Sequence, residues 1–261
     1  MITSSHNPKI QTVRELMGRR KDRQQSGTFV VEGVRLAEEA LQAGWLPNWV
    51  LVSAKISDRG RALVENFRQR GAEVEEILPS LMESLSDTDS APGLLAVIPE
   101  RELPLPAALD FVLIADAVRD PGNLGAILRS AGAAGVQAVF LSTGTVDPFS
   151  PKVLRAGMGA QFRLPLRSLT WGQIRETCDE QRPQPLNLFL AEAEQGIDMW
   201  QADLRSPVAL VVGGEAEGVS VEGRAAVDRS ITISMPGKSE SLNAAVAAGI
   251  LLFEVVRQRR E

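Results

Sequence analysis

The first hundred residues alternate between two spacings of apolar positions. Helical spacing over residues 7–25 predicts a helix in which Ile10, Val13 and Leu16 share one face, and Asn7-Pro8 supplies its cap and a first-turn proline. Short apolar runs and helical patterns then alternate, predicting strands over 28–32, 49–53, 73–78 and 94–98 and helices over 34–43, 58–70 and 81–85. This alternation predicts a small α/β domain.

A proline-rich stretch follows this region. Residues 99–108, PERELPLPAA, carry three prolines, which stiffen and extend a chain rather than pack it. We therefore expect a linker here, between an N-terminal domain over residues 1–98 and a second domain over residues 109–261.

The second domain begins as a βαβ unit. A strand over 111–118, a helix ending near Gly135 and a strand over 137–142 follow one another. The later patterns predict a helix over 148–160 capped by Ser150, a helix over 173–181, strands over 186–192, from Val208 and from Ile231, and an apolar helix from Ser241. The predicted fold class is α/β, with a mostly parallel sheet and helices on both faces.

Three loops of this domain carry polar residues between a strand and a helix. They hold Asn123, the run Gly213-Gly214-Glu215, and the turn at Met235 with Ser241-Leu242-Asn243 after it. Ligands of open α/β sheets bind at such strand ends, because free backbone N–H groups and helix dipoles converge there. Capping explains Ser241-Leu242-Asn243 equally well on its own, but three polar loops together predict a binding site at one edge of the sheet.

The order and spacing of these residues resemble a known family. Asn123-x-Gly125-x-x-x-Arg129, then Gly213-x-Glu215-x-x-Gly218, then Ile233-x-Met235-x-Gly237 followed by Ser241-Leu242-Asn243 are similar to the three motifs of the SpoU (TrmH) family of RNA 2′-O-ribose methyltransferases. The resemblance covers roughly residues 110–260. Two departures occur in the third motif: Ser234 stands where the family usually has proline, and Ala244-Ala245 follow the asparagine.

The resemblance implies both a cofactor and a topology. The cofactor is S-adenosylmethionine, whose activated methyl requires neither a covalent intermediate nor a metal. Family members pass the C-terminal helix through a loop to form a deep trefoil knot, although physical reasoning alone argues against knots. Their knotted domains pair as homodimers, and the apolar run over residues 244–256 fits either such an interface or a core.

Five residues match family positions around the reacting groups. Arg129, expected in the second turn of its helix, would stabilise negative charge on the ribose oxygen and hold a phosphate, since a guanidinium remains protonated. Asn123 would cap that helix or orient Arg129 and the ribose, and Glu215 would accept hydrogen bonds or brace its turn. Ser241 and Asn243 would orient the acceptor hydroxyl.

The cofactor candidates are Gly213, Gly214, Ile233, Met235 and Leu242. The resemblance implies backbone contacts with the cofactor at three of them, Gly213, Ile233 and Leu242. Glycine permits close approach, and the two apolar side chains suit the faces of an adenine ring. A dinucleotide-binding interpretation fails, because no G-x-G-x-x-G opens a helix at Gly213.

Composition narrows the classes of protein. Cys178 and His6 are the only cysteine and histidine, which excludes an internal disulfide and argues against a Cys/His zinc site or a Ser-His-Asp triad. No apolar run approaches the ~20 residues that cross a bilayer, and residues 1–20 lack a signal-peptide core. We expect a soluble cytoplasmic protein without a membrane partner or a metal.

The expected RNA contacts lie mostly in the N-terminal region. A net charge of −5 argues against indiscriminate coating of nucleic acid, but residues 1–25 are locally basic. Residues 29–33 and 86–96 resemble the RNA-binding domain that precedes the catalytic domain in many family members. The candidate phosphate contacts, for which a solvated helix face is the alternative, are Lys9, Arg19, Arg20, Lys21, Arg23, Lys152 and Arg155.

Two functions remain in competition at this stage. The first is transfer of a methyl group from S-adenosylmethionine to a ribose 2′-hydroxyl of structured RNA, with large-subunit ribosomal RNA preferred and tRNA second. The second is a non-catalytic RNA-binding or ribosome-assembly factor that keeps the same fold. Intact Arg129, Glu215, Ser241 and Asn243 favour the enzyme.

Overall fold

A computed structural model describes residues 1–86, 91–214, 218–237 and 240–260. The chain divides into two compact units, the first formed by Met1–Arg101 with Asp147–Phe162 and the second by Glu102–Val146 with Arg163–Glu261. In chain order the helices and strands are α1 (Pro8–Gly18), α2 (Arg20–Ser26), β1 (Thr28–Glu32), α3 (Val34–Gln42), β2 (Trp49–Ser53), α4 (Asp58–Gln69), β3 (Glu73–Ile77), α5 (Pro79–Leu85), β4 (Leu94–Pro99), β5 (Phe111–Asp116), α6 (Pro121–Ala134), β6 (Ala138–Leu141), α7 (Pro151–Gly157), β7 (Leu166–Ser168), α8 (Trp171–Asp179), β8 (Asn187–Glu192), β9 (Ile197–Asp198), β10 (Val208–Gly213), α9 (Val221–Ala226), β11 (Arg229–Thr232) and α10 (Ala244–Gln258).

The first unit is built on a four-stranded mixed sheet in the order β1-β4-β2-β3. Ile10, Val13 and Leu16 of α1, all buried, belong to the core cluster that covers one face of this sheet. These are the residues whose helical spacing predicted the helix, so the apolar pattern located this face of the core correctly.

The long helix predicted over residues 7–25 is two helices. Arg19 between them is extended, with φ −123° and ψ 128°. The sequence contains the reason, because apolar residues stop at Met17 and nothing after it holds a continued helix against the core. The break turns α2 so that Arg23 points inward, where its Nη1 donates to the carbonyl oxygen of Leu16 at 2.5 Å.

Residues Asp147–Phe162 pack with the first unit, whereas the sequence analysis placed them in the second domain. Their contribution is aromatic: Phe149 lies 4.7 Å from Phe29 between ring centroids, and Phe162 lies 5.5 Å from Trp45. The Trp45 indole also donates to the carbonyl oxygen of Phe162 at 2.9 Å. Side chains alternate along β1, so Phe29 and its neighbour Val30 point to opposite faces of the sheet. Phe29 lies on the face away from α1, and residues 147–162 cover that face.

The same segment contributes a buried ion pair. Arg23 Nε donates to Asp147 Oδ2 at 2.6 Å, and the two side chains are only 5% and 11% exposed. The other carboxylate oxygen accepts the backbone N–H of Phe149 at 2.9 Å, which fixes the turn into α7. Helix α7 itself is shorter than predicted, since Met158 ends it in the left-handed conformation at φ 50°.

The second unit confirms the predicted α/β class. Its seven strands lie in the order β7-β6-β5-β10-β8-β11-β9, and every pair in the described ladders is parallel. The chain runs from β5 outward to β6 and β7, while β10 and β8 lie on the other side of β5. The strand order therefore reverses between β5 and β10, and ligands of open parallel sheets bind beyond the carboxyl ends of strands at such a point.

Helix α10 is fixed at its C-terminal end. Gln258 donates to the carbonyl oxygen of Ala202 at 3.0 Å and accepts the N–H of Leu204 at 2.9 Å. Arg259 donates to Asp110 Oδ1 at 3.1 Å and lies 5.1 Å from the Phe111 ring. These contacts fix the helix whose first turn lies next to the candidate site. No helix among the described residues is long and apolar enough to cross a membrane.

Candidate active site

A cavity of about 460 Å³ lies at the carboxyl ends of the strands of the second unit. All five predicted cofactor residues line it, and so do two of the predicted catalytic residues: Gly213, Gly214, Ile233, Met235, Leu242, Ser241 and Asn243. The second and third polar loops therefore meet here. Helix α10 begins at Ala244 and not at Ser241, so Ser241 and Leu242 belong to the loop that precedes it.

Both glycines at the end of β10 are required by contacts within the chain. A Cβ on Gly213 would lie 2.5 Å from the carbonyl carbon of Gly218, and one on Gly214 would lie 2.7 Å from the carbonyl oxygen of Ala117. Real Cβ atoms do not approach backbone so closely, hence any side chain here would displace the loop. Gly213 was expected to permit close approach of a ligand, but its close neighbour is the loop itself.

Asp116, which the sequence analysis did not single out, holds this loop. It is completely buried at the end of β5. Its Oδ2 accepts the N–H of Ser220 at 2.6 Å, and its Oδ1 accepts the indole N–H of Trp171 at 2.9 Å and the hydroxyl of Ser142. A carboxylate that ends an otherwise apolar strand was the signal in the sequence, because buried carboxylates require several donors.

Asn123 joins the first polar loop to the third. The cap of α6 is Asp120, whose Oδ1 accepts the N–H of Asn123 at 2.8 Å, so the expectation that Asn123 caps the helix is wrong. Asn243 caps α10 instead, since its Oδ1 accepts from Ala245 and Val246 at 2.9 and 3.2 Å. Its amide nitrogen donates to Asn123 Oδ1 at 2.9 Å, which fixes both amides at the mouth of the site.

Arg129 lies on the exposed face of α6. It is the ninth residue of the helix and hence in the third turn, one turn later than predicted, because the helix already begins at Pro121. It forms no hydrogen bond or ion pair with any other residue that the structure describes, so its donors are available to an external anion. Glu215 lies outside the described residues.

The chain matches two family models. Residues 110–253 match the SpoU rRNA Methylase family, and residues 7–96 match the MRM3-like substrate binding domain. This chain belongs to the SpoU rRNA methylase family. Among its relatives, the Bacillus subtilis 23S rRNA (guanosine(2553)-2′-O)-methyltransferase RlmP is 30% identical over 97% of this chain and 98% of its own length. The Streptomyces viridochromogenes 23S rRNA (uridine(2479)-2′-O)-methyltransferase is 32% identical over 98% of this chain and 92% of its own.

A solved structure of the family contains the cofactor. The SpoU methyltransferase AviRb from Streptomyces viridochromogenes, crystallised with S-adenosylmethionine (AdoMet), superposes with a TM-score of 0.88 at 30% identity and covers 98% of this chain and 99% of its own. The residues of the present cavity fit that cofactor. Its volume is within the ~300–1,000 Å³ of small-molecule sites, and apolar Ile233 and Leu242 lie with the polar Ser241 and Asn243 in its wall.

The cysteine of this SpoU protein takes no part in the chemistry. Cys178 is fully buried in α8, and burial raises the pKa of its thiol to about 12. A thiol of that pKa is not a nucleophile at neutral pH. No group of three His, Cys, Asp or Glu side chains arranged for a metal occurs among the described residues.

The basic residues proposed for RNA contact fall into two groups. Arg23 is buried in its ion pair with Asp147, so its candidacy was wrong. Lys9 is paired with Glu73 at 2.6 Å, and Arg155 with Glu32 at 3.0 Å. These pairs bridge elements far apart in sequence, which a helical pattern does not reveal. The candidates that remain exposed are Arg19, Arg20, Lys21 and Lys152.

Ser234, which stands where the SpoU family usually has proline, fixes the loop by a hydrogen bond. Its hydroxyl donates to Asp198 Oδ2, and Asp198 Oδ1 accepts the N–H of Trp200 at 2.8 Å. The hydrogen bond from Ser234 is the main cause that lowers the pKa of Asp198 below its ordinary value. The carboxylate is therefore ionised throughout the neutral range, and the bond weakens only when acid protonates Asp198. It ties the cavity residues Ile233 and Met235 to the edge strand β9.

Ser234→Ala should weaken binding of S-adenosylhomocysteine roughly threefold, because the loop loses its only side-chain bond to β9 among the described residues. Asp198→Ala should have a similar effect, and the double variant should be no worse than either alone. Calorimetric titration of the three variants tests this. Affinity equal to wild type in Ser234→Ala would show that the loop needs no such bond.

Proposed function

We propose that this protein transfers a methyl group from S-adenosylmethionine to one ribose 2′-hydroxyl of large-subunit ribosomal RNA. The observation that carries the proposal is the cavity in which Gly213, Ile233, Leu242, Ser241 and Asn243 meet, with Asn123 bonded to Asn243 at its mouth. Ribosomal RNA is preferred as substrate because the relatives that match almost the whole chain are named 23S rRNA 2′-O-methyltransferases.

The proposed chemistry assigns a separate task to each side of the site. The bound cofactor supplies a methyl group activated on a sulfonium, so the protein must position the acceptor oxygen in line with it and stabilise the charge that develops there. Ile233 and Leu242 would hold the adenine, and Ser241 and Asn243 would orient the acceptor ribose. The amide of Asn243 has no titrating proton and is fixed by its bonds to α10 and Asn123, so it orients groups without exchanging protons.

Arg129 would hold the phosphate beside the target and stabilise the developing alkoxide. Its guanidinium is exposed, makes no hydrogen bond or ion pair with another described residue, and offers a fork of donors to a phosphate. Glu215, two residues after the end of β10 in the sequence, would accept a hydrogen bond from the substrate.

The first unit would bind the RNA around the target. Its match to a substrate-binding domain over residues 7–96 supports this role, as do the exposed cations Arg19, Arg20, Lys21 and Lys152. The domain boundaries that we propose place the change of unit after Arg101, within the expected linker, and add Asp147–Phe162 to the N-terminal unit.

We also propose that the second unit forms a trefoil knot and a homodimer, as family resemblance implies. Membership of the SpoU rRNA Methylase family over residues 110–253 supports the knot. An exposed apolar stripe supports the dimer: Val246 and Phe253, seven residues apart on one face of α10, are 51% and 50% exposed. With ribosomal RNA as substrate, we place the reaction in the cytoplasm.

Methyl transfer to purified RNA tests the proposed function. The protein should move labelled methyl groups from S-adenosylmethionine into 23S rRNA of a strain lacking the gene, with little label in 16S rRNA or tRNA. RNA from the parent strain is the matched control and should remain unlabelled, because its site is already filled. Label in tRNA alone would contradict the ribosomal substrate. No label in any RNA, with cofactor binding verified by calorimetry, would favour the binding factor.

A further inference from the structure

Glu192 is a carboxylate within the wall of the cavity. It is the last residue of β8, and among the described residues that line the cavity it is the only one with an ionisable side chain. Its side chain is 14% exposed. Keeping a carboxylate in such a place costs free energy unless donors accompany it, so the donors around each of its two oxygens show what it can bind.

Arg224 of α9 holds one oxygen of this carboxylate and leaves the other available. Arg224 Nη1 forms an ion pair with Glu192 Oε1. Oε2 accepts no hydrogen bond from any residue within the described part of the chain. The arginine is 56% exposed and thus lies at the outer side of the pair, whereas Glu192 contributes to the cavity wall. The pair fixes the carboxylate while its second oxygen keeps its acceptor sites.

The position of Glu192 indicates which part of the cofactor it contacts. It pairs with Thr232 across β8 and β11, and Thr232 directly precedes Ile233, which we assign to the adenine. The ribose is the group next to the adenine, whereas the ammonium group lies beyond the ribose and the sulfonium. Ribose hydroxyls donate hydrogen bonds, and a carboxylate only accepts them.

We infer that Glu192 binds the ribose hydroxyls of S-adenosylmethionine, which adds a cofactor-binding residue to the site and rests on the proposed function. Asp116, the other buried carboxylate at these strand ends, has its oxygens occupied by Ser142, Trp171 and Ser220 and is not available for this task.

Binding of two ligands to wild type and Glu192→Ala tests the inference. S-adenosylhomocysteine carries adenine, ribose and ammonium, whereas 5′-methylthioadenosine lacks the ammonium. The variant should bind both ligands roughly tenfold more weakly, because both keep the ribose. The matched control is Glu194→Ala, which removes an exposed carboxylate two residues away that does not line the cavity and should leave both affinities unchanged.

Deoxyribose ligands provide a second measurement that does not depend on how the variant folds. The 2′-deoxy or the 3′-deoxy form of methylthioadenosine should bind wild type roughly tenfold more weakly than the parent compound. Its affinity for Glu192→Ala should be little lower than its affinity for wild type. If Glu192→Ala weakened the binding of S-adenosylhomocysteine alone, Glu192 would contact the ammonium group and the inference would be overturned. Equal affinities of wild type and the variant for every ligand would also overturn it. If wild type bound neither ligand, the proposed function itself would fail.

Discussion

Arg129→Ala should lower kcat for RNA methylation roughly 10²- to 10³-fold, the loss typical of removing a preorganised donor from a developing oxyanion. The affinity for S-adenosylhomocysteine should stay within about twofold, because Arg129 does not line the cofactor cavity. Its side chain is exposed and bonds to no other described residue, so the fold should not suffer. Single-turnover transfer to 23S rRNA and calorimetry measure the two effects separately.

Two further variants sharpen this test. Arg129→Lys keeps the charge but loses the fork of donors, so it should recover only part of the rate. Arg205→Ala removes another exposed arginine of the second unit, one whose Nε pairs with Asp203 at 2.9 Å, and should leave kcat unchanged. Wild-type kcat in Arg129→Ala would remove this residue from the chemistry.

Arg23→Ala should destabilise the first unit by about 3–5 kcal/mol, because it leaves the carboxylate of Asp147 buried without its partner. The substitution also removes the donor to the carbonyl oxygen of Leu16. Urea unfolding followed by tryptophan fluorescence reports the change, since Trp45 and Trp49 both belong to this unit. Lys21→Ala, an exposed position of the same helix, is the control and should stay within about 0.5 kcal/mol of wild type.

A double variant shows whether the ion pair is the cause. Arg23→Met with Asp147→Leu removes both charges and should be clearly more stable than Arg23→Ala, because neither charge remains unpaired in the interior. An unfolding free energy of Arg23→Ala close to that of wild type would mean that Asp147 finds other donors or water.

The sequence predicted those parts of the fold that depend on local pattern. The strands β1 to β6, β8, β10 and β11, and most of the helices between them, follow from apolar spacing and from signals such as Asn7-Pro8, whereas the short β7, β9 and α9 were not predicted. The positions of the polar loops followed from the same pattern. Because parallel strands place their carboxyl ends at one edge, Gly213, Ile233 and Asn243 could be expected together without knowledge of the strand order.

Contacts between distant parts of the chain could not be predicted in this way. Arg23 is one of several cations in a basic stretch, and nothing local distinguishes it as the partner of Asp147. The assignment of Asp147–Phe162 to the first unit depends on which aromatic rings meet Phe29, and that is decided by tertiary packing. Asp116 was visible as a carboxylate after an apolar run, but its donors come from three other segments.

The most direct test of the account is a map of ribose methylation on large-subunit ribosomal RNA from cells with and without the gene. A 2′-O-methyl group blocks attack of the 2′-oxygen on the neighbouring phosphodiester, so it appears as a gap in an alkaline ladder. We predict one gap that disappears in the deletion strain and returns with the wild-type gene but not with Arg129→Ala. Identical ladders from cells with and without the gene would contradict methyl transfer to this RNA.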